Sequence, residues 1–592
     1  MDRNDPVVQV IRESFGKVVY SHKTHEKARE IASHKAARVK WLNIVLTSLT
    51  SGSFLSNVIV NRTWLTVVSS VLAAVTIAYM VYQINFNPFA PTNIGGTGTI
   101  FQTLFFYNVV RNDKPTPRLG TRFAWNTDGT QLSITLRDGV TWSDGEKFTA
   151  ADVVFTLDMI SKNKGMNNTG YTGRATAVDD THVTIAFAQP SFVDGPSVLG
   201  KTYIVPAHKW KDIAEPAVAV VKDPVGTGPY LLAEFKPQAY TLKANPKYWG
   251  GEPAVKKIRY LALSGNQSGA TALKAGQIDW QTGPVPDVKD VEKNYPGYKA
   301  VITPVNQIVL DTCSNTALGC QGPQTDSAVR QAIYQAIDRT QLNALAFENT
   351  GSEVSPSFLL PDRDGALISD KLRNRTAPMR PDTAKARRIL ESAGYTKGPD
   401  GIYAKNGVPV SLTLTTVSGW TDYITAANTI GQQLKAAGIK LTPQQLSWNE
   451  FVDARDRGAY QLVIDSLYQG PAPDPFYVYN YFFSTPQTAA VGAKPGPNVS
   501  RFSDPQVDQA LDALKRINPT DTDARQPYLA TIQTRIEQAM PYIPVLTQGT
   551  ITVYHDAKFT GWPTDGDPYV FPAIWAHPDN AEVFLRLKPT GE

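Results

Sequence analysis

Cysteine and histidine are scarce in this chain, with two Cys and seven His among 592 residues. Two cysteines alone cannot make a four-ligand zinc site. Three of the histidines, His22 and His25 among them, fall in a charged N-terminal stretch that reads as a solvated helix face. His208, His555 and His577 stand isolated and read as surface or satisfied core residues. No G-x-S-x-G, H-E-x-x-H, P-loop or C-x-x-C arrangement occurs, and Gly95-Gly96-Thr97-Gly98 lacks the Lys-Ser/Thr ending of a phosphate loop. The chain is therefore read as a non-enzyme without metal or cofactor. A strong charge bias is missing too. The net charge of +5, spread over the whole length, does not argue for a nucleic-acid partner. Its 42 Pro and 42 Gly follow no period, which excludes collagen-like or low-complexity order and fits many turns.

Two charge-free apolar runs stand near the N-terminus. WLNIVLTSLTSGSFLSNVIV at 41–60 and WLTVVSSVLAAVTIAYMVY at 64–82 each have the length to cross a hydrocarbon core. Trp41, Trp64, Tyr79 and Tyr82 lie near their ends, as interfacial aromatics do. Before them, Val8, Ile11, Phe15 and Val18 form an apolar stripe at helical spacing. Lys and Arg crowd residues 1–40, which puts the N-terminus in the cytoplasm by the positive-inside rule. The order of these parts, YSHKTHEKAREIASHKAARVKWLN running into a Ser/Thr-rich span and a second span, resembles the SLATT two-transmembrane family over residues 7–83. That resemblance implies a membrane-disturbing effector.

Cys313 and Cys320 bracket a short turn-rich loop, DTCSNTALGC. Their spacing suits a disulfide, which would place this part of the chain outside the cytosol; two separate buried residues are the alternative.

From Ile84 the texture becomes globular. Gln131–Leu136 alternates between Asp128-Gly129 and Asp138-Gly139, the pattern of a hairpin strand. FTAADVVFTLDMISK follows as a helix, with Thr149 as N-cap, Asp152 three residues on, and Val153, Phe155, Thr156 and Ile160 as its apolar face. The stretch LRDGVTWSDGEKFTAADVVFTL resembles the signature of the family 5 extracellular solute-binding proteins of ABC importers. Further landmarks stand in that family's order: NFNPF at 85–89, FQTLFFYN at 101–108, DPVGTGPYLL at 223–232, ANPKYWGG at 244–251, ALKAGQIDW at 272–280, VRQAIYQAIDR at 329–339, AKARRILESAGY at 384–395, APDPFYVY at 472–479, YIPVL at 542–546 and GWPTDGDPY at 561–569.

The resemblance implies an α/β, bilobed periplasmic-binding-protein-like fold with an extra inserted domain, preceded here by an N-terminal helix (1–40) and a membrane hairpin (41–82). Lobe I would gather 83–110, 223–300 and 546–592, the inserted domain 111–222, and lobe II 301–545. It implies capture of an oligosaccharide or oligopeptide between lobes by hinge closure, with ABC permease subunits and a membrane as partners. An ammonium-anchoring acid is expected in the loop before the Asp-Pro landmark of a peptide binder. Here SLYQGPAPDP offers Tyr468-Gln469-Gly470 instead, which tilts the reading toward a neutral sugar. Trp420, in TTVSGWTDY, is the expected stacking platform. Asn87, Tyr107, Tyr468 and Trp562 are further ligand candidates, each with core packing as its alternative.

The two resemblances conflict in topology. Two spans starting inside return the chain to the cytoplasm, whereas a binding domain belongs outside, tethered at the cell membrane by a single anchor. A gene fusion near Gln83 is a third reading. Val75–Tyr82 has the composition of either a helix end or the first strand of lobe I.

Overall fold

The structure is a computed structural model that describes residues 84–90, 94–163, 165–167, 170–263 and 265–590. Contacts divide the chain into two units, Met1–Met80 and Val81–Glu592, and every described residue falls in the second. The expected N-terminal helix, the membrane hairpin and the Val75–Tyr82 alternative lie outside the described residues. Among those described, no helix is long and apolar enough to cross a membrane.

The expected hairpin becomes a four-stranded antiparallel sheet of β1 (Gly120–Trp125), β2 (Gln131–Leu136), β3 (Arg174–Ala177) and β4 (His182–Ala186), ordered β1-β2-β4-β3. Alternation on β2 works as the period of two requires. Leu132, Ile134 and Leu136 enter a core that Trp142 and Leu157 complete. Helix α1 (Ala150–Lys162) packs on this core. Its start is set by the Thr149 amide donating to Asp152 Oδ2 at 3.0 Å. Trp142 Nε1 donates to the same oxygen at 3.3 Å, which ties the hairpin turn to the helix start. A short helix, α2 (Asp194–Gly200), follows.

A second antiparallel sheet runs β5 (Tyr230–Lys236), β6 (Ala239–Ala244), β7 (Lys257–Leu261). Gly226 and Gly228, just before β5, owe their identity to close approach. A Cβ there would lie 2.0 Å from the Ile100 carbonyl oxygen and 2.2 Å from that of Thr99, and neither glycine has positive φ.

Helix α3 (Asn266–Lys274) then leads to the largest sheet. Its strands are β8 (Trp280–Thr282), β9 (Tyr298–Thr312), β10 (Ser411–Val417), β11 (Lys440–Leu446), β12 (Leu462–Leu467) and β13 (Tyr542–His555), in the order β8-β13-β9-β12-β10-β11. β9 and β13 form one long antiparallel ladder, roughly 50 Å end to end at the usual rise per residue. One end of the ladder, with Val301 and Tyr554, belongs to a core shared with Phe86, Tyr230 and Trp562. The other end, with Ile308, Leu310, Ile543 and Leu546, belongs to a core shared with Leu414 and Ile464. Register shifts at Pro304/Asn306 and Ile308/Val309 interrupt the ladder between them. The boundaries expected at 300 and 545 fall inside these strands, so the chain passes from one core to the other in mid-strand.

Helices α4 (Ser327–Ala336), α5 (Arg339–Ala346), α6 (Thr421–Ala436) and α7 (Trp448–Arg457) surround the β10–β12 half. Arg330 serves backbone carbonyls, whereas Asp338 both faces Arg380 Nη1 at 3.9 Å and starts a helix. Arg330 donates to the carbonyls of Gln324, Ala539 and Met540, while Asp338 caps α5 through the Gln341 amide at 2.9 Å. Capping consumes the charge of Asp474 too: it accepts from the Phe476 amide at 2.8 Å and from Arg525 Nη2 at 2.6 Å, and so starts α8 (Pro475–Phe483). Helix α9 (Asp579–Arg586) closes the chain against the Trp562 core.

Candidate functional site

Strands β10, β11 and β12 are parallel neighbours, so their carboxyl ends lie side by side at one sheet edge. In open α/β sheets this edge is where ligands bind, because loops converge there without blocking one another. Each of the three loops brings an aromatic residue: Trp420 after β10, Trp448 after β11 and Tyr468 after β12. The Trp420 and Trp448 rings are 5.5 Å apart at 37°. Phe451 stacks behind Trp448, and Tyr423 meets Trp420 edge-on. Trp448 keeps 49% of its surface exposed and Tyr468 44%. Tyr468 rests its ring on Tyr481 and Phe482, both 5.3 Å away. Burial nonetheless pushes its hydroxyl well above the usual tyrosine value.

Charge underlies this edge. Arg455 Nη1 donates to Asp465 Oδ2 at 2.5 Å. Asp311, buried on β9, has its carboxyl raised well above the ordinary range, first by burial and then by the Asp465 charge. The partly exposed pair thus adjoins a buried extra acid.

Beside these loops lies a cavity of about 270 Å³. One wall is the start of α3 and the Thr282–Pro286 turn; another is the end of α5 with Phe347–Gly351; a third is the start of α6. Gln548–Ile551 of β13 adds the ladder itself, and Trp575, 52% exposed, reaches in from the segment before α9. Two loops touch across it. Asn266 Nδ2 donates to Asp422 Oδ1 at 3.2 Å and to Thr421 Oγ1 at 3.3 Å. A Cβ on Gly265 would lie 3.2 Å from the Gly419 carbonyl oxygen.

The candidate residues separate by location. Trp420 and Tyr468 stand on neighbouring loops at the sheet edge. Tyr107 is half-buried and packs against two cores, that of β1–β4 and that of α8, with its hydroxyl raised by burial. Asn87 is fully buried, and its amide is used up by the Pro216 and Ala219 carbonyls (2.8 and 2.9 Å) and the Phe89 amide (2.9 Å). Trp562, 7% exposed, stacks on Tyr554 at 4.9 Å and meets Trp280 edge-on. Asn87 and Trp562 therefore sit where the core-packing alternative puts them.

Sequence reasoning missed Trp448, Trp575, Asp422 and Glu348. Asp422 stood two residues after Trp420 in a quoted loop, and Trp448 follows Ser447, which caps α7 reciprocally with Glu450. The histidines are less isolated than expected: His208 Nε2 lies 2.8 Å from Asp144 Oδ2, and His577 is buried, its pKa pushed down to about 4 by desolvation.

Cys313 and Cys320 are joined by a disulfide, with Cα atoms 5.4 Å apart. Among the described residues, no group of three or more His, Cys, Asp or Glu is arranged to hold a metal ion.

Comparison with known proteins adds the following. Residues 114–489 match the model for bacterial extracellular solute-binding proteins, family 5, middle region. Residues 7–93 match that for the SMODS and SLOG-associating 2TM effector domain, family 4. Protein XP55 of Streptomyces lividans is 30% identical over 66% of this chain and 68% of its own length. The nickel-binding periplasmic protein of Escherichia coli is 24% identical over 80% of this chain and 88% of its own. Among solved structures, a mannohexaose-bound periplasmic oligopeptide-binding protein of Thermotoga maritima superposes with a TM-score of 0.77 at 25% identity, covering 87% of this chain and 97% of that one. AppA of Bacillus subtilis, in complex with a nonapeptide, superposes with a TM-score of 0.69 at 20% identity, covering 86% and 97%.

Proposed function

Since the chain belongs to the bacterial extracellular solute-binding proteins of family 5, we propose that it captures one small solute between two lobes and delivers it to the permease of an ABC importer. The observation that carries this reading is the cavity of about 270 Å³, walled by segments from both ends of the β9–β13 ladder. Its size is near the lower end for small-molecule sites. Opening and closing would pivot on the interrupted middle of that ladder, with the Asn266–Asp422 bridge made only when the lobes close. The solute is an oligosaccharide or an oligopeptide, with Trp420, Trp448, Tyr468 and Trp575 offering flat faces to it and the cavity's amides and hydroxyls orienting it.

The disulfide supports an extracytoplasmic site for this domain, since such bonds persist in oxidising compartments. The domain is then held at the cell membrane by the N-terminal segment. A second reading rests on the match over residues 7–93: a membrane effector in a fused gene, with the binding domain as passenger.

Calorimetric titration of the purified full chain with manno-, cello- and xylo-oligosaccharides and with di- to pentapeptides tests the capture reading. One saturable ligand with a negative heat-capacity change is expected; absence of binding across a broad solute panel overturns it. Protease treatment of spheroplasts tests the location. Degradation of the large domain from outside is expected, and full protection sinks the importer assignment in favour of the effector reading.

A further inference from the structure

The described part of the chain begins at a fastened point. Asn85 Oδ1 accepts from the Val221 amide at 3.2 Å, and the Phe86 amide donates to the Val221 carbonyl at 2.8 Å. Asn87 Nδ2 donates to the Pro216 and Ala219 carbonyls at 2.8 and 2.9 Å. Residues 85–87 are thus tied to the loop 214–222, upstream of β5. That loop carries Val218, 67% exposed and the most exposed large hydrophobic residue among those described, and Val220, 58% exposed. Around them Ile84, Phe89, Ile213, Ala217 and Val221 are only partly covered by the Trp562 core. Apolar residues exposed singly are ordinary, whereas a patch of them marks a contact surface.

What covers the patch follows from where the chain arrives. The charge-free run at 64–82, long enough to cross a hydrocarbon core, ends three residues before Asn85. Three residues of chain reach at most about 11 Å. A bilayer that holds that run therefore keeps the entry point, and the patch fastened to it, at its interface. Charge points the same way. The exposed Lys211 and Lys222 stand among the exposed Asp212, Glu215 and Asp223, so the patch presents no field of one sign to a charged partner.

We propose that Val218 and Val220 seat in the headgroup boundary of a lipid bilayer, at the point where the chain enters the domain. The inference rests on the membrane-anchor reading of residues 64–82. It holds on either face of the membrane, because the connection is equally short on both. A valine at that boundary sheds its water, and the Asn87 clamp presets the backbone on both sides of Val218, so little ordering is left to do on contact. None of these residues lines the solute cavity. The half of the molecule built on the Trp562 core is then fixed at the bilayer, and the half carrying β10–β12 is left to move on solute capture.

The test uses the full chain in nanodiscs of phosphatidylethanolamine and phosphatidylglycerol. A nitrobenzoxadiazole label is placed at Val218→Cys, Val220→Cys or Val408→Cys, the last an exposed control on the 403–409 hairpin. The native cysteines are joined and stay unlabelled. Quenching by nitroxide lipids should be at least about threefold stronger at 218 and 220 than at 408, as interfacial burial implies. It should persist at about 0.5 M salt, since an apolar contact is not screened. Equal quenching at all three sites, or quenching lost in salt, overturns the proposal. In the unlabelled chain, the paired substitution Val218→Asp and Val220→Asp should speed hydrogen exchange of 214–222 several-fold in nanodiscs and leave the β9–β13 ladder unchanged; equal exchange in 214–222 also overturns it. Alkaline carbonate extraction separates the two failures. A chain washed off the membrane overturns the anchor reading and this proposal together, whereas a chain that stays while 218 and 220 go unquenched overturns the proposal alone.

Discussion

Two groups of aromatic residues, nearly alike in composition, have opposite environments. Trp280, Tyr554, Trp562 and Phe584 close on one another in a dry core, with Trp562 stacked between Tyr554 and the edge of Trp280. Trp420, Trp448 and Tyr468 also touch two rings each, yet Trp448 and Tyr468 keep nearly half of their surface open to water. The first group uses its rings for cohesion. The second has cohesion on one side only, and its open faces cost stability unless something binds there. The difference teaches that an aromatic inventory says how much surface is available, and that only the number of covered faces says what it is for.

Removing a ring from each group is the sharpest way to break this contrast. Trp562→Ala should lower stability by about 3–5 kcal/mol, measured by denaturant titration of the full chain, because it empties a closed core. A loss below about 1 kcal/mol would put Trp562 with the open group. Opening the Cys313–Cys320 bond, by Cys→Ser at both positions, should cost about 2 kcal/mol for a loop this short. That loss belongs to the half carrying the open aromatics, and a mass shift on alkylation after reduction checks that the bond was present.

A pH test probes the closed group. Asp579, at the start of α9, is 2% exposed and accepts from the Phe571 amide at 3.0 Å. Burial raises its carboxyl to about 6 against the attraction of Lys201. Because the folded state holds this proton more tightly than the unfolded chain, its penalty is absent below about pH 4. It grows as pH rises through about 6 and is full above that. Asp579→Asn should therefore gain about 1–2 kcal/mol at pH 8 and almost nothing at pH 4. Equal gains at both pH values would show that the carboxylate charge is not the cause.

The smallest effect on stability is expected at the open group. Trp448→Ala should change stability by less than about 1 kcal/mol yet weaken solute binding by about tenfold or more. Unchanged affinity with a large stability loss would move Trp448 to the structural side of the comparison.

Much of the fold was legible because its signals are local. Alternation identified β2 at Gln131–Leu136, and Thr149 with Asp152 identified the start of α1. Phe155 was the weak point there, since it is only half-buried, at the margin of the Trp562 core. The candidate site was less legible. Asn87 and Trp562 carry the same side chains a ligand would use, and nothing nearby in sequence announces that Pro216 or Tyr554 will cover them. Trp448 was hidden for the converse reason: it sits in the first turn of an ordinary amphipathic helix, where core packing is the default.

By itself the sequence determined the family, the hairpin strand β2 and the start of α1. Each depends on caps, periodicity and turn residues within a few positions of one another. Tertiary structure alone decided which side chains form a site. Asn266 and Asp422 meet across 156 positions of chain, and Trp420, Trp448 and Tyr468 share an edge only because β10, β11 and β12 run parallel side by side. Exposure is a property of neighbours in space, and distant segments become neighbours only on folding.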